Sequence, residues 1–180
     1  LQMAGDLAEY DRLVDAGRRF DEVCDGAERD RPARHRARDD LDTAAAVAGD
    51  SRGDVAGEME ANHNLGLAYE AVGDIDAAIG FHERHLELAG QAGDIRQEHA
   101  AQAELVKMYR RKAESLEEGK EYEEAADMDL RCLAAAKDCG DRLAEGEANY
   151  RAGRAYVMLD QAGKAIPFLS NYVRFWGGVV

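Results

Sequence analysis

Apolar and polar residues alternate most regularly between residues 61 and 89 of this chain. From 61 to 72 the apolar positions recur at helical spacing and form one stripe. Gly73-Asp74 interrupts the pattern, and a second stripe follows from 75 to 89, with Asp74 placed to accept hydrogen bonds from the first free amides. The pattern predicts two helices folded back on each other as a hairpin.

The hairpin repeats along the chain. Equivalent positions in the first helices are separated by 40 and then 47 residues, at Gly66, Val106 and Gly153. In the second helices the separations are 47 and then 40 residues, at Ala78, Ala125 and Ala165. The seven-residue difference falls between Tyr109 and Tyr122. Seven residues are nearly two helical turns, so we expect the first helix of the third hairpin to lengthen by about 10 Å. Its sequence RRKAESLEEGK is expected to project past the edge of the stack.

Composition agrees with a helical fold. Only two prolines occur among 180 residues, and Ala, Leu, Glu, Arg and Asp are abundant, a mixture that favours helix over sheet. We therefore expect an all-α chain of about four hairpins. The expected boundaries are a degenerate N-terminal hairpin at 1–54, three regular hairpins at 55–93, 94–140 and 141–176, and a tail or truncation point at 177–180.

The net charge of −14 argues against broad binding to nucleic acid or to anionic membranes, because both need a basic surface. The sequence contains no apolar run long enough to span a bilayer and no signal peptide, which favours a soluble cytoplasmic protein. Three cysteines without a CxxC pair fit neither a disulfide framework nor a zinc cage. Cys132 occupies a small-residue position in its hairpin, and we expect a buried, inert thiol.

Two stretches, NLGLAYEAVGDIDAAIGFHERHLEL and ANYRAGRAYVMLDQAGKAIPFLSNYV, resemble tetratricopeptide repeats in their Leu-Gly-x-x-Tyr, Gly-Asp and Ala-Ile patterns. The resemblance implies a right-handed α-solenoid whose first helices line a groove that holds a partner's peptide or helix. The long spacing is similar to that of kinesin light chains and cell-polarity adaptors. The order of the repeats is similar to that of a ciliary member of the family. That likeness implies a role in the axoneme or its transport machinery, with axonemal dynein, tubulin or transport-complex proteins as partners.

The groove residues implied by this resemblance lie on the first helices, opposite the core stripe. Those expected to bind a partner are His63, Asn64, Leu67, Lys107, Arg110, Arg111, Tyr150, Arg151, Arg154 and Met158. The five cations among them are expected to hold an acidic or helical segment, because arginine pairs with carboxylates in two-point contact. Reversing Arg151 and Arg154 to glutamate is expected to abolish capture without unfolding the chain. The alternative is a set of solvated charges paired with local glutamates.

Other functions find less support in the sequence. His82 and His85 resemble half a metal site, but the repeat pattern places no further ligand beside them, so we expect neither metal nor cofactor. No phosphate loop, nucleophile elbow or zincin motif occurs, and we expect no enzyme activity. The preferred interpretation is a non-catalytic scaffold. The alternatives are a cargo or polarity adaptor that recognises a peptide, and a regulatory segment of a larger protein.

Overall fold

A computed structural model describes residues 55–177, which form helices joined by short turns. The expected N-terminal hairpin at 1–54 and the last residues of the expected tail, 178–180, lie outside the described residues. The helices are α1 (Val55–Val72), α2 (Ile75–Ala92), α3 (Ile95–Glu118), α4 (Tyr122–Cys139), α5 (Arg142–Met158) and α6 (Ala162–Gly177). The expectation of an all-α fold is confirmed for this part of the chain.

The described residues form two compact units, which are divided between Ala92 and Gly93. In the first unit α1 packs against α2. In the second unit each helix packs against the next, from α3 to α6, so that two hairpins stack in the manner of an α-solenoid. The core of each unit is built from alanine and a few larger apolar residues, and alanine allows the helices to approach closely.

The Gly-Asp pairs end one helix and begin the next. Gly73 and Gly140 adopt left-handed backbone angles, with φ of 83° and 76°, which glycine tolerates because it has no Cβ. The aspartate that follows each glycine then caps the new helix: Asp74 accepts a hydrogen bond from the Ala77 amide at 3.1 Å. A local sequence signal therefore fixes where the chain reverses.

Helix α3 is the longest, with 24 residues, as the seven-residue insertion predicted. Its C-terminal end, however, does not project beyond its own unit. Ala113 is fully buried, and Glu117 forms an ion pair with Arg154 of α5. A second ion pair joins Arg110 to Glu147. From the first ion pair to the second, the residue number increases by seven on both helices. Helices α3 and α5 therefore run parallel and side by side.

Ring contacts show how closely the first described hairpin and the last repeat each other. Tyr69 stacks on Phe81 with ring centroids 5.1 Å apart, and Tyr156 stacks on Phe168 at 5.7 Å. Both residues of the second pair lie 87 positions after their counterparts, which is the sum of the predicted offsets of 40 and 47. The same offset relates His63 and His85, at 5.3 Å, to Tyr150 and Tyr172, at 5.0 Å. The internal repeat thus extends from sequence to side-chain packing.

Candidate functional site: a face of α3 and α5

The parallel helices α3 and α5 share a face that carries most of the predicted groove cations. The side chains of Lys107, Arg110 and Arg154 are 52%, 42% and 51% exposed. Arg111 is also exposed, one helical turn after Lys107. We call this set, Lys107, Arg110, Arg111 and Arg154, the cationic face.

Glutamates accompany these cations. Lys107 contacts Glu104 at 2.9 Å, Arg110 contacts Glu147 at 3.5 Å, and Arg154 pairs with Glu117. Ion pairs between exposed side chains contribute only about 0–1 kcal/mol each. Both partners of the Arg110–Glu147 pair are 42% exposed, so an incoming carboxylate can replace Glu147 at small cost, provided that the rest of the partner supplies binding energy.

Arg151 differs from its neighbours because it is nearly buried. Its Nε donates a hydrogen bond of 2.7 Å to Oδ1 of Asp129, and the two side chains are 12% and 0% exposed. Arg151 is therefore engaged inside the α4–α5 contact. The expectation that its reversal leaves the fold intact is wrong, since a glutamate there would face a buried carboxylate.

Burial raises the pKa of Asp129 and of a neighbouring thiol. Burial raises the pKa of Asp129 to about 6, although the charge and hydrogen bond of Arg151 act in the opposite direction. Burial also raises the pKa of Cys132 to about 11, so the thiol is protonated at neutral pH. Its Sγ donates to the backbone oxygen of Val106 at 3.5 Å. The expectation of a buried thiol at Cys132 is confirmed.

Apolar side chains lie beside the cations on α5. Tyr150, Val157 and Met158 are 42%, 53% and 55% exposed. The Tyr150 ring also contacts Tyr172 of α6, with centroids 5.0 Å apart, so the tyrosine is held in place while part of it faces solvent. Exposed aromatic and methionine side chains beside arginine are the residue types enriched in protein interfaces.

The three remaining predicted residues lie on α1, in the first unit. Leu67 is 39% exposed, while His63 and Asn64 are half-buried. His63 lies next to His82, with ring centroids 6.0 Å apart, and next to His85. The predicted partner-binding residues therefore fall on separate units, and only those on α3 and α5 are brought together within one of them.

Sequence reasoning missed two polar contacts. Asp129 was not identified as the partner of Arg151, and His63 was not identified as a third histidine beside His82 and His85. A signal for the first existed: the offset of 47 residues makes Asp129 equivalent to His82, a position inside the hairpin where a carboxylate needs a counter-ion. His63 carried no comparable signal, because its neighbours come from the other helix.

Paired antiparallel helices, a small residue at their crossing and Gly-Asp reversals define a helical-repeat fold. The family model for the tetratricopeptide repeat matches residues 61–96, so this segment is similar to a tetratricopeptide repeat. The chain is 27% identical over 124 residues to Tetratricopeptide repeat protein 29 from Macaca fascicularis and from Homo sapiens. That alignment covers 65% of this chain and 26% of each relative. The chain thus spans about a quarter of the length of the curated relatives it matches.

A solved structure is also similar at low sequence identity. The crystal structure of BtubC (BKLC) from P. vanneervenii is 15% identical, has a TM-score of 0.39, and matches over 99% of this chain and 87% of that chain. Within the part of the chain that the structure describes, no helix combines the length and the apolar character needed to cross a bilayer.

Proposed function

We propose that this chain is a non-catalytic scaffold that binds an acidic or helical segment of another protein on the cationic face and the adjoining apolar side chains of α5. The tetratricopeptide family supports the general role, since its members typically mediate protein–protein interactions without catalysis. The observation that carries the particular site is the clustering of exposed cations and exposed Tyr150 and Met158 on parallel helices of one unit.

The charge balance explains why a local surface can act differently from the whole chain. The net charge of −14 repels acidic proteins at long range, but repulsion between exposed charges is screened beyond about 8 Å at physiological salt. At contact distance the partner meets the cationic face instead. Binding of this kind is expected to weaken as salt concentration rises.

We further propose that the scaffold acts in the cilium, within the axoneme or its transport machinery, and that its partners include dynein, tubulin or transport-complex proteins. The similarity to Tetratricopeptide repeat protein 29 and the repeat order described above support this assignment. A cargo adaptor with the same binding face remains the alternative, and the location of the protein distinguishes the two.

The test uses charge reversal on and off the proposed face. Lys107→Glu combined with Arg110→Glu is expected to weaken binding to axonemal dynein or tubulin at least tenfold, whereas Arg131→Glu is the matched control. Arg131 is exposed on α4 and pairs with Asp127 at 3.2 Å, so its reversal disturbs a similar exposed ion pair elsewhere. The tagged wild-type and control proteins should enter the cilium of a ciliated cell. Equal binding by the double variant would exclude the cationic face, and absence from the cilium would exclude the ciliary role.

A further inference from the structure

Three histidines from two helices meet inside the first described hairpin. His63 of α1 and His82 and His85 of α2 each offer a ring nitrogen, and these atoms all lie within 4.8 Å of one another. His82 and His85 are 0% and 1% exposed, while His63 is half-buried. We call these three residues the histidine cluster.

Helix geometry and one glycine bring the cluster together. His82 and His85 are three residues apart and therefore share a face of α2. That face meets α1 at Gly66, where a Cβ would lie 2.5 Å from the His82 ring. The missing side chain of Gly66 thus provides the space that His82 occupies. His63 lies on α1, three residues before Gly66.

Packing alone does not explain all three histidines. In the equivalent hairpin of α5 and α6, Tyr150 and Tyr172 take the places of His63 and His85, so an aromatic pair suits those two positions. The place of His82 is taken by Leu169, which lies against Gly153 as His82 lies against Gly66. An apolar side chain fills that position in the later hairpin, so close packing there does not require an imidazole.

The Nδ1 atom of His63 is buried and forms no hydrogen bond within the described residues. Buried polar atoms in folded proteins are nearly always paired, with protein, water or an ion. A bound cation that accepts electron pairs from imidazole nitrogens would satisfy this requirement.

We propose that the histidine cluster binds one Zn²⁺ ion. Imidazole nitrogen is a preferred zinc ligand, and three histidines with a water molecule complete a tetrahedral set. Zinc–nitrogen bonds of about 2.0–2.1 Å place tetrahedral ligands roughly 3.4 Å apart, so nitrogens that lie within 4.8 Å of one another must approach by at most about 1.4 Å. His63 can move most readily because it is only half-buried, and the solvent on its side supplies the water ligand. The bound ion would join α1 to α2 and stabilise the hairpin.

The experiment measures zinc binding by the purified chain after removal of metal with a chelator. Zinc is titrated in competition with a chromophoric chelator, and Co²⁺ is used as a visible probe of coordination. Three variants are compared: His63→Ala removes the half-buried ligand, His82→Leu introduces the residue that occupies the equivalent place at Leu169, and His99→Ala removes an exposed histidine of α3 as a control. Circular dichroism verifies that each variant remains helical.

One zinc ion per chain is expected, with a tetrahedral Co²⁺ spectrum and a higher unfolding temperature in the presence of zinc. His63→Ala and His82→Leu should each weaken affinity at least tenfold, whereas His99→Ala should leave it unchanged. The proposal is overturned if the wild-type chain binds no zinc at about 100 µM, or if a folded His63→Ala or His82→Leu variant binds it as tightly as wild type.

Discussion

Replacing Arg151 with methionine should destabilise the fold by an amount that depends on pH. The substitution retains an unbranched side chain but removes the cation that faces the buried carboxylate of Asp129, at a distance of 2.7 Å. Because Asp129 is fully buried, its ionised form has no compensation from solvent. The variant must therefore bury an unpaired charge or protonate the carboxyl group.

The pKa of Asp129 sets the magnitude. In the wild type this pKa is raised from 3.8 to about 6, so the ionised group already lowers stability by about 3 kcal/mol above pH 6, at about 1.36 kcal/mol per pKa unit. Without Arg151 the pKa of Asp129 rises further. The loss of folding stability that Asp129 causes cannot exceed the free energy needed to protonate its carboxylate. That limit is about 4.4 kcal/mol at pH 7 and about 5.7 kcal/mol at pH 8.

The sign follows from proton uptake. A carboxyl group whose pKa is raised on folding binds more protons in the folded state, so its contribution to stability falls as pH rises from the unfolded to the folded pKa. In the wild type this fall ends near pH 6, whereas in Arg151→Met it continues upward. The electrostatic cost of the substitution should therefore be small at pH 5, up to about 1.4 kcal/mol at pH 7 and up to about 2.7 kcal/mol at pH 8.

Urea denaturation followed by circular dichroism at pH 5, 6, 7 and 8 measures this difference. Arg131→Met is the matched control, because Arg131 pairs with Asp127 and both side chains are exposed, so its cost should stay within about 1 kcal/mol at every pH. Adding Asp129→Asn to Arg151→Met should remove the pH-dependent part. An equal cost for Arg151→Met at pH 5 and pH 8 would refute the assignment of Asp129 as the titrating group.

Further predictions concern the hairpin crossings and the thiols. Gly66→Ala should lower stability by about 1–3 kcal/mol, because the added Cβ would lie 2.5 Å from the His82 ring, and thermal unfolding measures this change. Gly80→Ala should raise stability by about 1 kcal/mol in the same assay, since it lies exposed in α2 with nothing within 4 Å of its Cβ. At pH 8, Cys132 should react with a thiol reagent only after the chain unfolds, because burial raises its pKa to about 11. The half-buried Cys139 should react earlier. Mass-spectrometric mapping measures both reaction rates, and equal rates would contradict this prediction.

The described helices could be predicted because their signals are local. Gly73-Asp74 and Gly140-Asp141 specify a left-handed backbone position followed by a capping carboxylate, and both act within a few residues. The insertion before Tyr122 could also be interpreted, since whole helical turns preserve the buried stripe. These features require no knowledge of which hairpin lies beside another.

The exposure of groove residues could not be predicted in the same way. Periodicity predicts an exposed stripe opposite the core, but α5 contacts both α4 and α6 and therefore has more than one covered side. Arg151 lies toward α4, where it meets Asp129, whereas Arg154, three residues later, reaches Glu117 of α3. Periodicity identifies the main buried face of a helix, but the second contact depends on the packing angle between hairpins.

One position inside the repeat explains why the hairpins have different chemistry. The offsets make His82, Asp129 and Leu169 equivalent, and each occupies the second helix of its hairpin. Leu169 satisfies the position by apolar contact with Gly153, so that hairpin needs no further partner. Asp129 needs a cation and obtains it from the next hairpin, which couples α4 to α5 through Arg151. Because α5 also carries Arg154, the buried pair helps to fix where the cationic face lies, and its loss should disturb partner binding even when every exposed cation remains.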